Sequence, residues 1–158
     1  MMNTPRIKTI SMAEIMTPDM ANFTGNIHGG HLMKFFDKTA YACAVQYASL
    51  PMVTLSVDHI FFKAPIHIGD LVICLATVNY VGSTSMEVGI HVDAEDLMTR
   101  EKRHTNSCYF TMVALDKNGK TTAIPPLTLN NETEKKRFKE AERRREARKL
   151  YYQQHHGK

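Results

Sequence analysis

The residues most suited to chemistry lie in one segment, from Asn22 to Asp37. Gly29 and Gly30 stand where a loop enters a helix, and glycines there let a ligand approach the backbone closely. The first amides of a helix are unpaired donors at the positive end of its dipole. Such donors suit a carbonyl oxygen that gains negative charge during acyl transfer. Asn22 adds a neutral amide donor upstream of the glycine pair.

Asp37 lies about two turns into a helix whose other residues are mostly apolar. A carboxylate in that position costs free energy unless it has a partner or a task. Each of these features also has an ordinary explanation. In the ordinary explanation, Asp37 forms an ion pair with Lys34 three residues earlier, the glycine pair is a tight turn without a ligand, and Asn22 is a turn residue. The residue types alone leave these alternatives open.

The helix that must position Asp37 runs from Gly30 to about residue 50. It is apolar almost all the way round, with Lys34 and Lys38 as a thin charged stripe, and this pattern predicts a buried helix. Pro51 ends the helix, because proline supplies no amide donor and restricts the residue before it.

Strands follow the helix. Period-two alternation predicts half-buried strands, and longer apolar runs predict central ones; the segments are 53–58, 71–81, 86–93 and 104–115. Asn118 and Gly119 predict a type I′ hairpin. One buried helix followed by antiparallel strands predicts an α+β fold, in which a single sheet wraps around the helix. The far side of that sheet then needs a partner subunit.

The 158 residues predict one domain at 1–130 and a basic helical extension at 131–158. The net charge of +4 is uneven, because residues 132–158 carry ten Lys or Arg and only five Glu. The basic character therefore belongs to the extension. Its interspersed glutamates argue against nucleic-acid binding, since a surface that follows phosphates is more uniformly basic.

The cysteines, the histidines and two missing sequence patterns restrict the kinds of protein that this sequence can encode. The odd set Cys43, Cys74 and Cys108 lies in apolar stretches and predicts buried free thiols in a reducing cytoplasm. No apolar run is long enough to span a membrane, so we expect no membrane insertion. His28 and His31 lack a Cys or a paired carboxylate nearby, so we expect no metal. The sequence has no Gly-x-Ser-x-Gly motif, which excludes a serine hydrolase of that type.

The pattern Asn-x-x-Gly-x-x-x-Gly-Gly at residues 22–30, with an aspartate on the following helix, resembles the acyl-CoA hydrolase (YciA-like) branch of the hotdog-fold thioesterases. The resemblance continues through Phe-x-x-Pro-x-x-x-Gly-Asp at 62–70, VGSTSMEV at 81–88 and the helical tail at 135–149. It covers about residues 7–150. His31 departs from the pattern, because many relatives carry a larger apolar or aromatic residue there.

The resemblance implies hydrolysis of acyl-CoA to a free acid and CoA, with no cofactor, since the CoA belongs to the substrate. It implies that Asp37 acts on the thioester as general base or nucleophile, and that Asn22 positions the water or the carbonyl. Amides near Gly29 and Gly30 would form the oxyanion hole. The resemblance places four residues near the CoA: Lys63, Ser83, Thr84 and Ser85. Their positive charge alone adds Arg103 and Arg144 as further candidates.

The resemblance also implies a homodimer with shared active sites, commonly assembled as a trimer of dimers. Helix geometry favours sharing, because Gly30 and Asp37 lie about 10 Å apart along one straight helix. That is too far to serve one carbonyl, so Asn22 of one copy is expected to face Asp37 of the other. Two alternatives remain: a non-catalytic acyl-CoA sensor, and a dehydratase that uses His28 or His31 with Asp37.

Overall fold

The computed structural model describes residues 4–157, so residues 1–3 and 158 of the predicted segments lie outside it. The elements are β1 (Thr9–Ile15), α1 (Gly29–Ala48), β2 (Met52–Asp58), β3 (Leu71–Val81), β4 (Ser85–Glu95), β5 (Lys102–Ala114) and α2 (Glu132–His156), with a short 3₁₀ turn at Pro18–Met20. The strands form one sheet in the order β1-β3-β4-β5-β2. Every pairing is antiparallel. The predicted α+β fold is confirmed, and β1 is an edge strand that the alternation did not predict.

Helix α1 lies across the sheet and contacts all five strands. Its buried side chains recur at spacings of three and four residues, as an amphipathic helix requires; they are Leu32, Phe35, Phe36, Thr39, Ala40, Cys43, Ala44, Tyr47 and Ala48. All three cysteines are free and buried. Burial raises the pKa of Cys43 and Cys108 to about 12 and that of Cys74 to about 11.

One face of α1 points away from its own sheet. Met33 and Tyr41 are 41% and 47% exposed, and Asp37 lies between them on the same stripe. The prediction of a helix buried all round was therefore wrong for the single chain. Strand β2 is an edge of the sheet and exposes Val53 and Leu55. Thr54, between these two residues, faces Asp37, whereas Leu55 turns to the outer face and lies beside α2. The uncovered apolar surface beside Asp37 is therefore that of Met33 and Tyr41.

The turn at Asn118-Gly119 forms as predicted, but with different geometry. A type I′ turn needs positive φ at both central residues, and only Gly119 has it, at 74°. The Asp116 carboxylate organises the turn instead, by accepting hydrogen bonds from the amides of Asn118 and Lys120. The type I′ prediction was wrong, because the Gly119 amide donates to Asp116 O, which centres the turn on Lys117 and Asn118 and leaves Gly119 after it at positive φ.

Helix α2 packs onto the outer face of the sheet. Asn131 caps its first turn by accepting from the Glu134 amide at 2.9 Å. Ala141 is buried, and the ring of Phe138 lies 4.8 Å from that of Tyr80 on β3. The extension is therefore attached to the folded body, and the division at residue 131 stays a prediction. Neither helix within residues 4–157 combines the length and apolarity needed to cross a membrane.

Candidate active site

Asp37 stands on the exposed face of α1, beside strand β2. The Thr54 hydroxyl, on that strand, donates a hydrogen bond of 2.6 Å to Asp37 Oδ1. No cation within residues 4–157 forms an ion pair with Asp37, so the pairing with Lys34 was wrong. Among those residues no donor reaches the second carboxylate oxygen either. Asp37 is therefore oriented by one neutral donor and keeps an oxygen free to accept a proton.

The start of α1 separates the two glycine amides that the sequence singled out. His28 is the N-cap residue, and its Nδ1 accepts from the Gly30 amide at 3.2 Å. The Gly29 amide has no acceptor among residues 4–157. A Cβ on Gly29 would touch the Phe62 ring at 3.4 Å, so that ring lies against the helix start. Gly29 supplies the open donor, whereas Gly30 is already satisfied.

Asn22 is held by a side-chain turn that fixes which way its amide points. Its Oδ1 accepts from the Thr24 amide at 2.9 Å, from the Thr24 hydroxyl at 2.7 Å and from the Asn26 amide at 3.3 Å. The oxygen is therefore committed, and Nδ2 has no acceptor among residues 4–157. Asn22 is therefore a turn residue through its oxygen, and its Nδ2 is available as a donor.

The loop that carries Asn22 stays next to the start of α1. Three backbone hydrogen bonds hold the loop: the Asn22 N–H donates to Asn26 O at 2.7 Å, the His28 N–H to Met20 O at 2.8 Å and the Ile27 N–H to Ile66 O at 2.8 Å. Asn22 and Gly29 thus share one end of α1. Since α1 is continuous, Asp37 lies about 12 Å further along its axis.

The predicted CoA-binding residues fall into three groups. Lys63 and the turn residues Ser83 and Thr84 have backbone bonds only: the Lys63 amide donates to Thr105 O, and Ser83 and Thr84 accept through their carbonyls from Ile124 and Ala114. Their side chains have no hydrogen bond within residues 4–157. The arginines are engaged, because Arg103 bonds Asp70 Oδ2 at 2.5 Å and Arg144 bonds Glu87 Oε1 at 2.6 Å.

Ser85, the fourth CoA candidate, lines a groove of about 710 Å³ between the sheet and α2. The wall formed by α2 contributes three cations and an aromatic ring: Arg145, Arg148, Lys149 and Tyr152. Sequence reasoning missed this groove, because it treated the basic helix as separate from the body. The sequence pattern that could have predicted it is the set of cations and a tyrosine on neighbouring turns of one helix.

The histidines near the glycine pair face away from Asp37. His28 caps α1, and His31 Nε2 lies 3.9 Å from Glu14 Oε2 on β1. Within residues 4–157, no hydrogen bond joins either ring to Asp37. Within one chain, the described residues therefore do not pair either histidine with Asp37.

Comparison with known proteins agrees with this fold. The thioesterase superfamily model matches residues 24–101. Protein VdlD of Helicobacter pylori is 49% identical over 141 residues, which span 89% of this chain and 80% of that protein. A hexameric acyl-CoA thioesterase is 32% identical with a TM-score of 0.86, over 90% of this chain and 92% of that one.

The acyl-CoA hydrolase of Staphylococcus aureus, solved with butyryl-CoA and CoA, is 30% identical with a TM-score of 0.82, over 92% of this chain and 91% of that one. Structures of its alanine variants at an asparagine, an aspartate and a threonine also match; those positions are fifteen and seventeen residues apart. The chain belongs to the acyl-CoA thioesterases of the thioesterase superfamily, which have the hotdog fold. Membership of the YciA-like branch stays a prediction.

Proposed function

We propose that this protein hydrolyses the thioester bond of acyl-CoA, with Asp37 as the group that acts on the reacting atoms. The observation that carries the proposal is the Asp37 carboxylate, oriented by Thr54 on an exposed and partly apolar face. An oriented carboxylate with one free oxygen is suited to take a proton from water or to attack a carbonyl.

The spacing of three residues supports this assignment independently. Asn22 precedes Asp37 by fifteen residues, and Thr54 follows Asp37 by seventeen. The substituted asparagine, aspartate and threonine of the S. aureus hydrolase have the same two separations. Thr54 thus joins Asn22 and Asp37 as a candidate site residue, although the sequence alone did not single it out.

In the general-base route, Asp37 takes one proton from water while the water oxygen bonds to the carbonyl carbon. The negative charge that develops on the carbonyl oxygen is stabilised by the Gly29 amide and by Asn22 Nδ2. The carbon–sulfur bond then breaks, and CoA leaves as a thiolate that takes up the proton. One water and one acyl-CoA become one free acid and one CoA.

The donors and Asp37 belong to different copies of the chain in this proposal. About 12 Å of helix separates Gly29 from Asp37, and one carbonyl cannot bridge that distance. The exposed stripe of α1 and the edge strand β2 offer an apolar face that a second copy would cover. The hexameric assembly of a solved relative supports a homodimer, assembled further as a trimer of dimers.

We assign the CoA nucleotide to the groove beside α2. Arg145 and Lys149 suit phosphates, whereas Arg148 is already paired with Asp58. The Tyr152 ring offers a stacking surface for adenine. Ser85 belongs to this groove, and Ser83 and Thr84 are adjacent in sequence. The acyl chain length follows from how the second copy closes the apolar face.

The test is release of free CoA thiol from a series of acyl-CoAs of increasing chain length. Asp37→Asn should lower kcat by at least about a hundredfold, because general-base catalysis contributes on that scale. The matched control is Asp116→Asn, whose side-chain oxygen keeps its turn contacts. The buried protein thiols, with raised pKa values, should not react with the thiol reagent.

Two results would contradict the proposal. Absence of turnover on every chain length would leave a non-catalytic acyl-CoA sensor as the function. Full activity in Asp37→Asn would show that another group activates the water. Acid quenching during turnover, followed by mass spectrometry of the Asp37 peptide, separates the two chemical routes, since only the nucleophile route adds the mass of the acyl group to it.

A further inference from the structure

Three side chains on the outer face of the sheet form a cluster that the proposed hydrolysis does not use. His91 and Asp93 on β4 and His104 on β5 place their ligand atoms within 4.8 Å of one another. Asp93 Oδ1 lies 3.1 Å from His91 Nε2 and 3.4 Å from His104 Nδ1. The two imidazole rings are nearly parallel, with centroids 4.2 Å apart.

A β-bulge brings His104 to this face. Val92 pairs with Asn106, but Asp93 pairs with His104, so Thr105 is the extra residue in β5. Strict alternation would put His104 and Ser107, three positions apart, on opposite faces of the sheet. The bulge restores His104 to the side of Asp93, while Thr105 is fully buried. Bulges of this kind re-aim side chains next to functional sites.

Two of the three separations between these atoms are close to those in a coordination shell. Ligand atoms about 2.0–2.2 Å from a tetrahedral zinc ion lie roughly 3.3–3.5 Å from one another. The two distances to Asp93 Oδ1, 3.1 and 3.4 Å, are close to that value. An ion lies in the plane of each imidazole that binds it, so binding requires one of the two stacked rings to turn about its side-chain bonds. The side chains are partly exposed, so an ion has access from solvent.

A fourth residue orients one of the rings. Ser107 Oγ lies 3.0 Å from His104 Nε2, the ring nitrogen that faces away from Asp93. A proton on Nε2, donated to Ser107, leaves the Nδ1 lone pair free toward Asp93. Metal-binding histidines commonly have such a partner on the other nitrogen, which sets the tautomer.

We infer that His91, Asp93 and His104 bind one divalent transition-metal ion of the zinc, cobalt or nickel kind. Two imidazoles and a carboxylate suit these metals, whereas Mg²⁺ and Ca²⁺ prefer oxygen ligands. Three protein ligands leave a position for water. The site is on the face of the sheet opposite α1, and the ion ties β4 to β5. It departs from the expectation of no metal, which rested on His28 and His31.

The test is equilibrium dialysis of the full-length protein against micromolar zinc, with the bound metal counted per chain. One ion per chain is expected, and His91→Ala and His104→Ala should each weaken binding by more than about tenfold, since even second-shell partners change affinity on that scale. The control is the double change His155→Ala with His156→Ala, which removes two histidines from the end of α2 and should keep the ion. Ser107→Ala should weaken binding less than loss of either ring.

Cobalt gives a second measurement. Its visible spectrum should show nitrogen and oxygen ligation without a sulfur charge-transfer band, which separates this cluster from the three cysteines. The idea is overturned if no ion binds, since hydrogen bonds to Asp93 then suffice to explain the cluster. It is also overturned if His91→Ala and His104→Ala keep the ion. Unchanged thioester hydrolysis in both variants shows that they fold, and His104→Gln repeats the test with a bulkier side chain.

Discussion

At the scale of single residues, the Asp37–Thr54 contact separates this site from a carboxylate that merely lies on a helix. The hydrogen bond of 2.6 Å fixes one oxygen and therefore the direction of the other. Asn22 follows the same logic, because three donors hold its oxygen and leave its amide nitrogen free. Both polar groups are oriented by neutral neighbours, so neither loses its chemistry to an ion pair.

Thr54→Val removes the hydroxyl and nearly preserves the shape of the side chain. A hydrogen bond to a charged group contributes about 1.5–3 kcal/mol, so kcat should fall by roughly ten- to a hundredfold. Thr54→Ser, which keeps the hydroxyl, should keep most of the activity. Steady-state thiol release measures both variants. Equal losses in Val and Ser would mean that packing on Met112, not the bond to Asp37, is what matters.

At the scale of elements, α2 is held to the sheet by a buried carboxylate. Glu87 on β4 is only 2% exposed and accepts two hydrogen bonds from Arg144, at 2.6 and 3.0 Å. The Arg144 guanidinium also lies 3.6 Å above the centre of the Tyr109 ring. Arg148 pairs with Asp58 at the end of β2. The basic residues on this side of α2 therefore meet acidic and aromatic partners of the body.

Arg144→Ala should destabilise the protein, because it leaves the Glu87 carboxylate buried with its main partner gone. Breaking such a pair costs about 3 kcal/mol, which lowers Tm by roughly 6–12 °C for a domain of this size. Thermal unfolding followed by circular dichroism measures the change. Arg143→Ala, at an exposed neighbour, is the control. A Tm equal to that of the control would mean that α2 is not anchored through Glu87.

The groove beside α2 gives a prediction about affinity. Lys149→Gln removes one of its cations and should raise KM for acyl-CoA several-fold, on the order of 1 kcal/mol of binding, with kcat unchanged. Lys136→Gln removes the same charge from an exposed position outside the groove and should leave KM unchanged. Kinetics at two salt concentrations separate a local contact from general charge attraction, because salt screens the latter. Matching KM values in the two variants would place the nucleotide elsewhere.

At the scale of the whole molecule, the sites are predicted to need two copies of the chain. Asn22→Ala and Asp37→Asn should each be nearly inactive alone. Co-refolding equal amounts should restore about a quarter of the wild-type activity, because half of the dimers are mixed and each mixed dimer has one intact site. Thiol release and sedimentation of the mixture are the measurements. No recovery in a mixture that contains mixed dimers would show that each site lies within one chain.

The same scale explains the uncovered surface of the single chain. The unpaired edge of β2 runs beside the exposed stripe of Met33 and Tyr41 on α1, which is an unstable arrangement for an isolated protein. Asp37 lies within that surface. Assembly and catalysis are therefore coupled in the proposed function, since the face that binds the second copy also carries the reactive carboxylate.

The sequence by itself determined the features that depend on near neighbours. The glycine pair marked the helix start, and Pro51 marked its end. These follow from local backbone chemistry, which a few consecutive residues control. Alternation likewise predicted the strands after the helix, because side chains on a strand take opposite faces in turn.

Only the tertiary structure decided which distant groups meet. Thr54 reaches Asp37 because β2 is an edge strand that runs beside the exposed face of α1. His104 joins Asp93 because a bulge shifts the strand by one residue, which alternation does not anticipate. Glu87 accepts a hydrogen bond from Arg144, which lies fifty-seven positions later in the sequence. Such contacts depend on register, on edge position and on the burial of a charge, and these are properties of the packed chain rather than of any short segment.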